Sequence, residues 1–122
     1  MQYVTTEGAQ GICPPGWHIP TLSEFQTLST SVGGDGNALK AVGQGSGGGA
    51  GTNTSGFSAL LAGDRHTDGT FINLGMSTYF WSSTEHNTYA SNILYLDYFQ
   101  SIIGVLNYYD KEYGFSVRCL KD

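Results

Sequence analysis

Charge is scarce in this chain. Only 12% of its 122 residues are charged, and 5 basic residues stand against 10 acidic ones for a net charge of −5. Without a basic field to hold phosphate backbones, nucleic acid is excluded as a partner, and anionic membrane surfaces with it. No apolar run approaches the roughly 18–20 residues that cross a bilayer, so no membrane insertion is expected. The opening residues MQYVTTEGAQ lack the positive and apolar stretches of a secretion signal. Cysteine is limited to Cys13 and Cys119, too far apart for a CxxC metal or redox motif. A bridge between them would close almost the whole chain, a constraint of roughly 4–5 kcal/mol on the chain-entropy account. Two unrelated buried thiols are the alternative. A bridge would fit an extracellular or virion-surface protein.

The length fits one domain, residues 1–122, large enough to bury a core without a metal. Its 18 Gly and its aromatic content of 13% point to a β-rich, loop-rich chain. The clearest helix spans about residues 21–32. It opens on Thr21-Leu22-Ser23-Glu24, a T-x-x-E capping box, carries Leu22, Phe25, Leu28 and Val32 on one stripe, and stops at Gly33-Gly34. A short second helix is expected at residues 37–42, with Ala38, Leu39 and Val42 inward. Residues 43–51 hold six glycines and read as a mobile loop. No Lys-Ser/Thr follows them, so a phosphate cradle is excluded. Strand patterns follow at residues 57–61, 69–74, 79–82, 93–98, 101–106 and 113–120. One helix, a short second one, then a mainly antiparallel twisted sheet with long loops is an α+β order.

Four blocks, in order, carry a family resemblance: Ile12-Cys13-Pro14-Pro15-Gly16-Trp17-His18-Ile19-Pro20-Thr21, Gly56-Phe57-Ser58-Ala59-Leu60, Phe80-Trp81-Ser82-Ser83-Thr84-Glu85, and Gly114-Phe115-Ser116-Val117-Arg118-Cys119-Leu120-Lys121-Asp122. Together they resemble the Fibrobacter succinogenes major paralogous domain family. The resemblance implies a C-type-lectin-like fold related to the formylglycine-generating-enzyme type, with residues 1–11 peripheral. It also implies a disulfide between Cys13 and Cys119, joining the first-helix region to the last strand. Both Trp17 and Trp81 lie inside framework blocks and read as core anchors.

Between the last two blocks, residues 86–110 hold five of the eight Tyr and no Lys, Arg, Glu, Met or Trp. Tyrosine mixed with Asn, Asp and Ser is the composition of binding loops, because Tyr offers a large contact at low entropic cost. The candidate ligand-binding residues are His86, Asn87, Tyr89, Asn92, Tyr95, Asp97, Tyr98, Ser101, Asn107, Tyr108, Tyr109 and Asp110. Some proteins of the resembled fold are variable products of diversity-generating retroelements. Randomising the adenines of an AAC codon never yields Lys, Glu, Gln, Met or Trp, and only Gln100 in this stretch departs from that set. A Tyr-rich hairpin whose rings cover the core is the plainer alternative.

No metal or other cofactor is expected. His18, His66 and His86 have no ligand spacing; His18 is expected to pack beside Trp17. Asp64-Arg65-His66-Thr67-Asp68-Gly69 lacks the ligand pattern of a calcium loop and reads as a turn with Arg65 paired to an acid. The calcium motifs of sugar-binding lectins are absent too. Glu85 with Asp97 or Asp110 is the only acid pair that suggests catalysis, and acids beside Ser/Thr-rich turns usually cap amides. The expected function is a non-enzymatic module that binds a protein or glycan on another cell or surface. It would act outside the cell, on the cell surface or on a phage virion. The alternative is a structural or adhesin-like accessory domain of a secreted or cell-surface bacterial protein.

Overall fold

A computed structural model describes residues 4–122. Its elements run β1 (Trp17–His18), α1 (Leu22–Ser31), single 3₁₀ turns at Gly36–Ala38 and Gly47–Gly49, then β2 (Asp64–Arg65), β3 (Phe71–Ile72), β4 (Ser77–Asn87), β5 (Ala90–Asp97), β6 (Gly104–Asp110) and β7 (Leu120–Lys121). All named strand pairs are antiparallel: β1 with β7, β2 with β3, and a three-stranded β4–β5–β6 sheet. The fold is α+β, as its sequence pattern implies.

The capping box forms as expected. The Thr21 hydroxyl accepts the Glu24 amide at 3.1 Å, and the Glu24 carboxylate accepts the Thr21 amide at 2.8 Å. At the other end the Gly33 amide reaches Thr30 O at 3.0 Å and the Gly34 amide reaches Ser29 O at 2.9 Å. These two bonds are a Schellman stop, which needs the positive φ of Gly33 (65°). Phe25, Leu28 and Val32 then face the sheet.

Two faces of the sheet are covered differently. Directly paired residues share a face, so Phe80 with Leu94, and Thr78 with Leu96, lie on the α1 side. There Phe25, Leu39, Ala59, Leu61, Phe80, Leu94 and Leu96 make the core, with Tyr98, Ile103 and Val105 packed against it. On the opposite face Tyr79 pairs with Tyr95 and Trp81 with Ile93. Phe115 lies across them, stacked on Tyr79 at 4.5 Å and tilted on Trp81 at 4.6 Å. Its backbone is locked there because the Trp81 amide donates to Ser116 O and the Ser116 amide to Tyr79 O, both at 3.0 Å.

Several local expectations are corrected. The second helix is one turn, capped by Asp35; Lys40 then bridges to Ala59, and Val42 turns out to solvent. Residues 57–61 and 113–120 supply bridges and the two-residue β7 rather than full strands, while β3 is only Phe71–Ile72. Trp81 is buried but Trp17 is exposed, so only the former anchors the core. Residues 43–51, expected to be a mobile loop, are mostly exposed, with Gly49 buried. The fully buried Lys40 ammonium donates to Gly49 O at 2.5 Å, Asp97 O at 2.6 Å and Gln100 O at 3.0 Å. A side chain at Gly49 would meet Tyr98 O at 2.4 Å. Close approach requires glycine at that position. Residues 1–3 of the expected N-terminal periphery lie outside the described residues; after them, Gly8 donates to Ser83 Oγ at 2.9 Å and Thr84 donates to Glu7 at 2.7 Å.

The chain ends meet. Cys13 and Cys119 are bridged across a separation of 106 residues, with Cα atoms 5.8 Å apart. Beside the bridge, β1 pairs β7 through Trp17 with Lys121 and His18 with Leu120. His18, expected to pack beside Trp17, is held between two carboxylates. Its Nδ1 lies 2.7 Å from Asp122 and its Nε2 lies 2.9 Å from Glu24. Both ring nitrogens face carboxylates, so only the doubly protonated ring satisfies both. Hydrogen bonds to Asp122 and then Glu24 raise the His18 pKa. Burial pushes the Glu24 carboxyl up, but the Thr21 amide and His18 overcome it and hold the pKa low.

The histidine contribution is therefore complete below its unfolded pKa of about 6.5 and fades as pH rises through the raised folded value. The Glu24 contribution is complete above the ordinary carboxylate range and fades on acidification. Thermal midpoints measured from about pH 5 to about pH 9 should fall more in the native chain than in His18→Gln. The difference is modest because Asp122 is largely exposed. Parallel curves would deny His18 an ionic role.

Candidate functional site

The β4–β5 turn is the exposed end of the β4–β5 hairpin. Thr88 and Tyr89 form its two-residue loop between paired Asn87 and Ala90. Asn87 Oδ1 accepts the Tyr89 amide at 2.8 Å and the Ala90 amide at 2.9 Å, an Asx-type closure that short polar side chains supply. Register shifts lie between Trp81 and Glu85 and again between Glu85 and Asn87, so the end of β4 bends away from regular pairing. The Lys111 amide donates to Tyr89 O at 2.8 Å and ties the turn to the segment after β6.

A concavity of about 490 Å³ opens here, lined by Thr88, Tyr89, Asp110, Lys111 and Glu112. Lys111 is buried and paired with Glu85. Tyr89 is 79% exposed and Tyr108 is 50% exposed. His86 lies flat on Tyr108, with ring centroids 3.5 Å apart and planes at 5°.

The twelve candidate residues do not make one surface. His86, Asn87, Tyr89, Tyr108 and Asp110 are exposed toward the hairpin end, and Asn107 is exposed further along β6, opposite Ile93 and beside Gln26, Ser29 and Thr30 of α1. Tyr98 and Ser101 lie beyond the far end of β5, which ends at Asp97, about 23 Å from Ala90 at ~3.3 Å per residue. Tyr98 packs against the core, while Ser101 is exposed and lends its carbonyl to the Gly36 amide. Asn92 is buried and donates to Thr84 O at 3.0 Å, filling the irregular stretch of β4. Asp97 is buried, accepting the Tyr95 hydroxyl at 2.6 Å and the Phe99 amide at 2.9 Å.

Tyr95 and Tyr109 are half-buried on the face that Phe115 covers. Tyr79 touches Tyr95 at 5.0 Å and Tyr109 at 5.4 Å, and Tyr109 touches Phe115 at 5.3 Å. Burial raises the Tyr79 pKa to about 12. Burial, then the bond to Asp97, pushes Tyr95 higher still. The plainer expectation, that tyrosines here cover hydrophobic structure, thus describes Tyr95, Tyr98 and Tyr109. The binding-loop expectation fits the exposure of Tyr89 and Tyr108.

Of the suggested partners for Glu85, Asp110 lies near the same hairpin end, opposite Ala90, and Asp97 does not. Glu85 is held by Lys111, and Asp97 lies about 20 Å away along β5 at ~3.3 Å per residue. Among the described residues no group of three or more His, Cys, Asp or Glu is placed to hold a metal. In the 64–69 turn, Asp68 accepts the Thr70 amide at 2.9 Å and hydroxyl at 2.7 Å, and Asp64 accepts Asn73 at 2.8 Å. Arg65 forms no ion pair among the described residues, contrary to expectation; its backbone pairs with Gly114 instead.

Thr88, Lys111 and Glu112 line the concavity without having been singled out by composition. Lys111 and Glu112 fall just beyond the stretch that lacks Lys and Glu, and Glu85 ends the preceding framework block, so a compositional boundary cuts through the site. Strand alternation was the available signal for the Tyr79–Tyr95 face.

The family model described as the Fibrobacter succinogenes major domain matches residues 2–121, nearly the entire chain, and the chain belongs to that family. No curated protein and no solved structure matches it.

Ring exposure separates display from anchorage, and substitution should follow it. Tyr89→Ala and Tyr108→Ala should each change unfolding free energy by no more than about 0.5 kcal/mol. Tyr95→Ala and Tyr109→Ala should each cost about 2–3 kcal/mol, for lost packing around Phe115. Urea unfolding of the four variants checks this, and equal losses in all four would erase the distinction.

Proposed function

We propose that this member of the Fibrobacter succinogenes major domain family is a non-enzymatic recognition module with a C-type-lectin-like body. It displays the β4–β5 turn and the adjoining part of β6 to a protein or glycan on another surface. One observation carries the proposal: Tyr95 on β5 and Tyr109 on β6 are packed into the body, whereas Tyr89 in the turn lines a concavity and Tyr108 on β6 is half exposed. Tyr89 makes no ring contact among the described residues, and Tyr108 stacks only on the exposed His86, which leaves its other face to a ligand. The Cys13–Cys119 bridge supports a place outside the reducing cytoplasm, at a cell surface or on a phage virion.

Retroelement diversification is part of the proposal. His86, Asn87, Thr88, Tyr89, Asn107, Tyr108 and Asp110 are all exposed, and all are residue types reachable from a randomised AAC codon. Ser91, Asn92 and Asp97 are of reachable types as well but are buried. Variation that preserves the fold should therefore spare them.

A second reading has its own support. Leu60, Phe71, Leu74 and Met76 are exposed apolar side chains near the start of β4, and the Gly75 amide bonds Leu61 O at 2.7 Å, bringing their two segments together. Such a patch suits an accessory domain that docks one fixed neighbour.

Sequencing natural copies of the gene separates the two. Diversified recognition predicts changes concentrated at adenine-derived codons of positions 86–89, 107, 108 and 110, with 91, 92 and 97 constant, and a reverse transcriptase with a template repeat nearby. Even drift along the chain, with positions 60 and 71–76 held apolar, would favour the docking domain.

A further inference from the structure

The hairpin end has a charge character that narrows its ligand, provided it is the recognition surface proposed above. Four charged groups surround the concavity. Lys111 is buried against Glu85, and those two cancel. Asp110 and Glu112 are exposed and face solvent with no ion-pair partner among the described residues. Beside them stands Tyr89, 79% exposed. The remaining basic side chains are elsewhere: Lys40 is enclosed by carbonyls, Arg65 is on β2, and Arg118 and Lys121 belong to the C-terminal segment.

We propose that this concavity takes a cationic side chain, an arginine or lysine presented by a basic protein surface. Three independent features converge on that chemistry. The hollow, at about 490 Å³, is of a size that admits a side chain and its flanking backbone. An open tyrosine face attracts a cation through the ring quadrupole, guanidinium most often. Carboxylates at the rim give such a cation directional partners, which a planar guanidinium can engage two at a time. The whole chain, at −5, reinforces the local field and steers a basic partner inward. A neutral sugar would gain from the rings and nothing from the field.

The test uses the full chain, labelled with ¹⁵N, titrated with N-acetyl-arginine amide, with its neutral isostere N-acetyl-citrulline amide, and with lactose. Arginine amide at millimolar concentration should shift amide signals of residues 86–89 and 107–112. Citrulline amide and lactose should leave them in place. Tyr89→Ala should weaken the arginine response about threefold, and Asp110→Asn with Glu112→Gln about as much again, both screened by added salt. Because the isostere comparison uses the unaltered chain, it does not depend on any variant folding. If citrulline amide or lactose shifts the same signals as strongly as arginine amide, cation selection is overturned while the hairpin end stands as a binding site. If arginine amide shifts only signals elsewhere, or none, the proposal fails; should all three probes leave the hairpin end silent, the recognition surface loses its support as well.

Discussion

Closure of the chain on itself is the constraint from which the remaining architecture follows. Cys13 and Cys119 are joined, β1 pairs β7, and His18 spans from Asp122 to Glu24 at the start of α1. A covalent loop of about 100 residues removes conformational freedom from the unfolded chain worth roughly 4–5 kcal/mol in the chain-entropy account. That matters for a chain in which β1, β2, β3 and β7 have two residues each. Strands so short contribute little by themselves. β1 and β7 lie directly beside the bridge, which tethers the segments they belong to.

Once the ends are fixed, the β4–β5–β6 sheet acquires a cover on each side. α1, set by the capping box, brings Phe25 onto the Phe80–Leu94–Leu96 face. The segment leading to Cys119 brings Phe115 onto the Tyr79–Tyr95–Tyr109 face. At one end of β5, Lys40 gathers three carbonyls that would otherwise be left without donors, and the Gly-rich segment closes over it. The other end is the β4–β5 turn, where neither cover reaches Tyr89 and the side chains are open. A packed body with an irregular, uncovered rim is an arrangement in which surface residues can change at small cost to packing.

Much of this was legible in the residues. The T-x-x-E box and the Gly33-Gly34 stop are local signals, and local signals fixed α1 to within a residue at each end. Alternation marked β5, and the framework blocks located the bridge. Legibility failed where a long-range contact decided the outcome. The close packing at Gly49 depends on the Tyr98 carbonyl, distant in sequence. The burial of Asn92 and Asp97 depends on the irregular pairing of β4 and on a turn after β5. Composition alone could not divide five tyrosines between body and rim, because a half-buried strand and a binding loop use the same residue. Trp17 shows the converse: a residue within a framework block that ends up exposed.

The division of the tyrosines is the central claim, and chemical reactivity reads it directly. Nitration of the native chain by tetranitromethane, mapped by peptide mass spectrometry, attacks accessible phenolates. Tyr89 and Tyr108 should be modified first, with Tyr79 and Tyr95 protected both by burial and by their raised pKa, and Tyr109 protected by its packing against Phe115. Modification of Tyr95 and Tyr109 as fast as Tyr89 would contradict it.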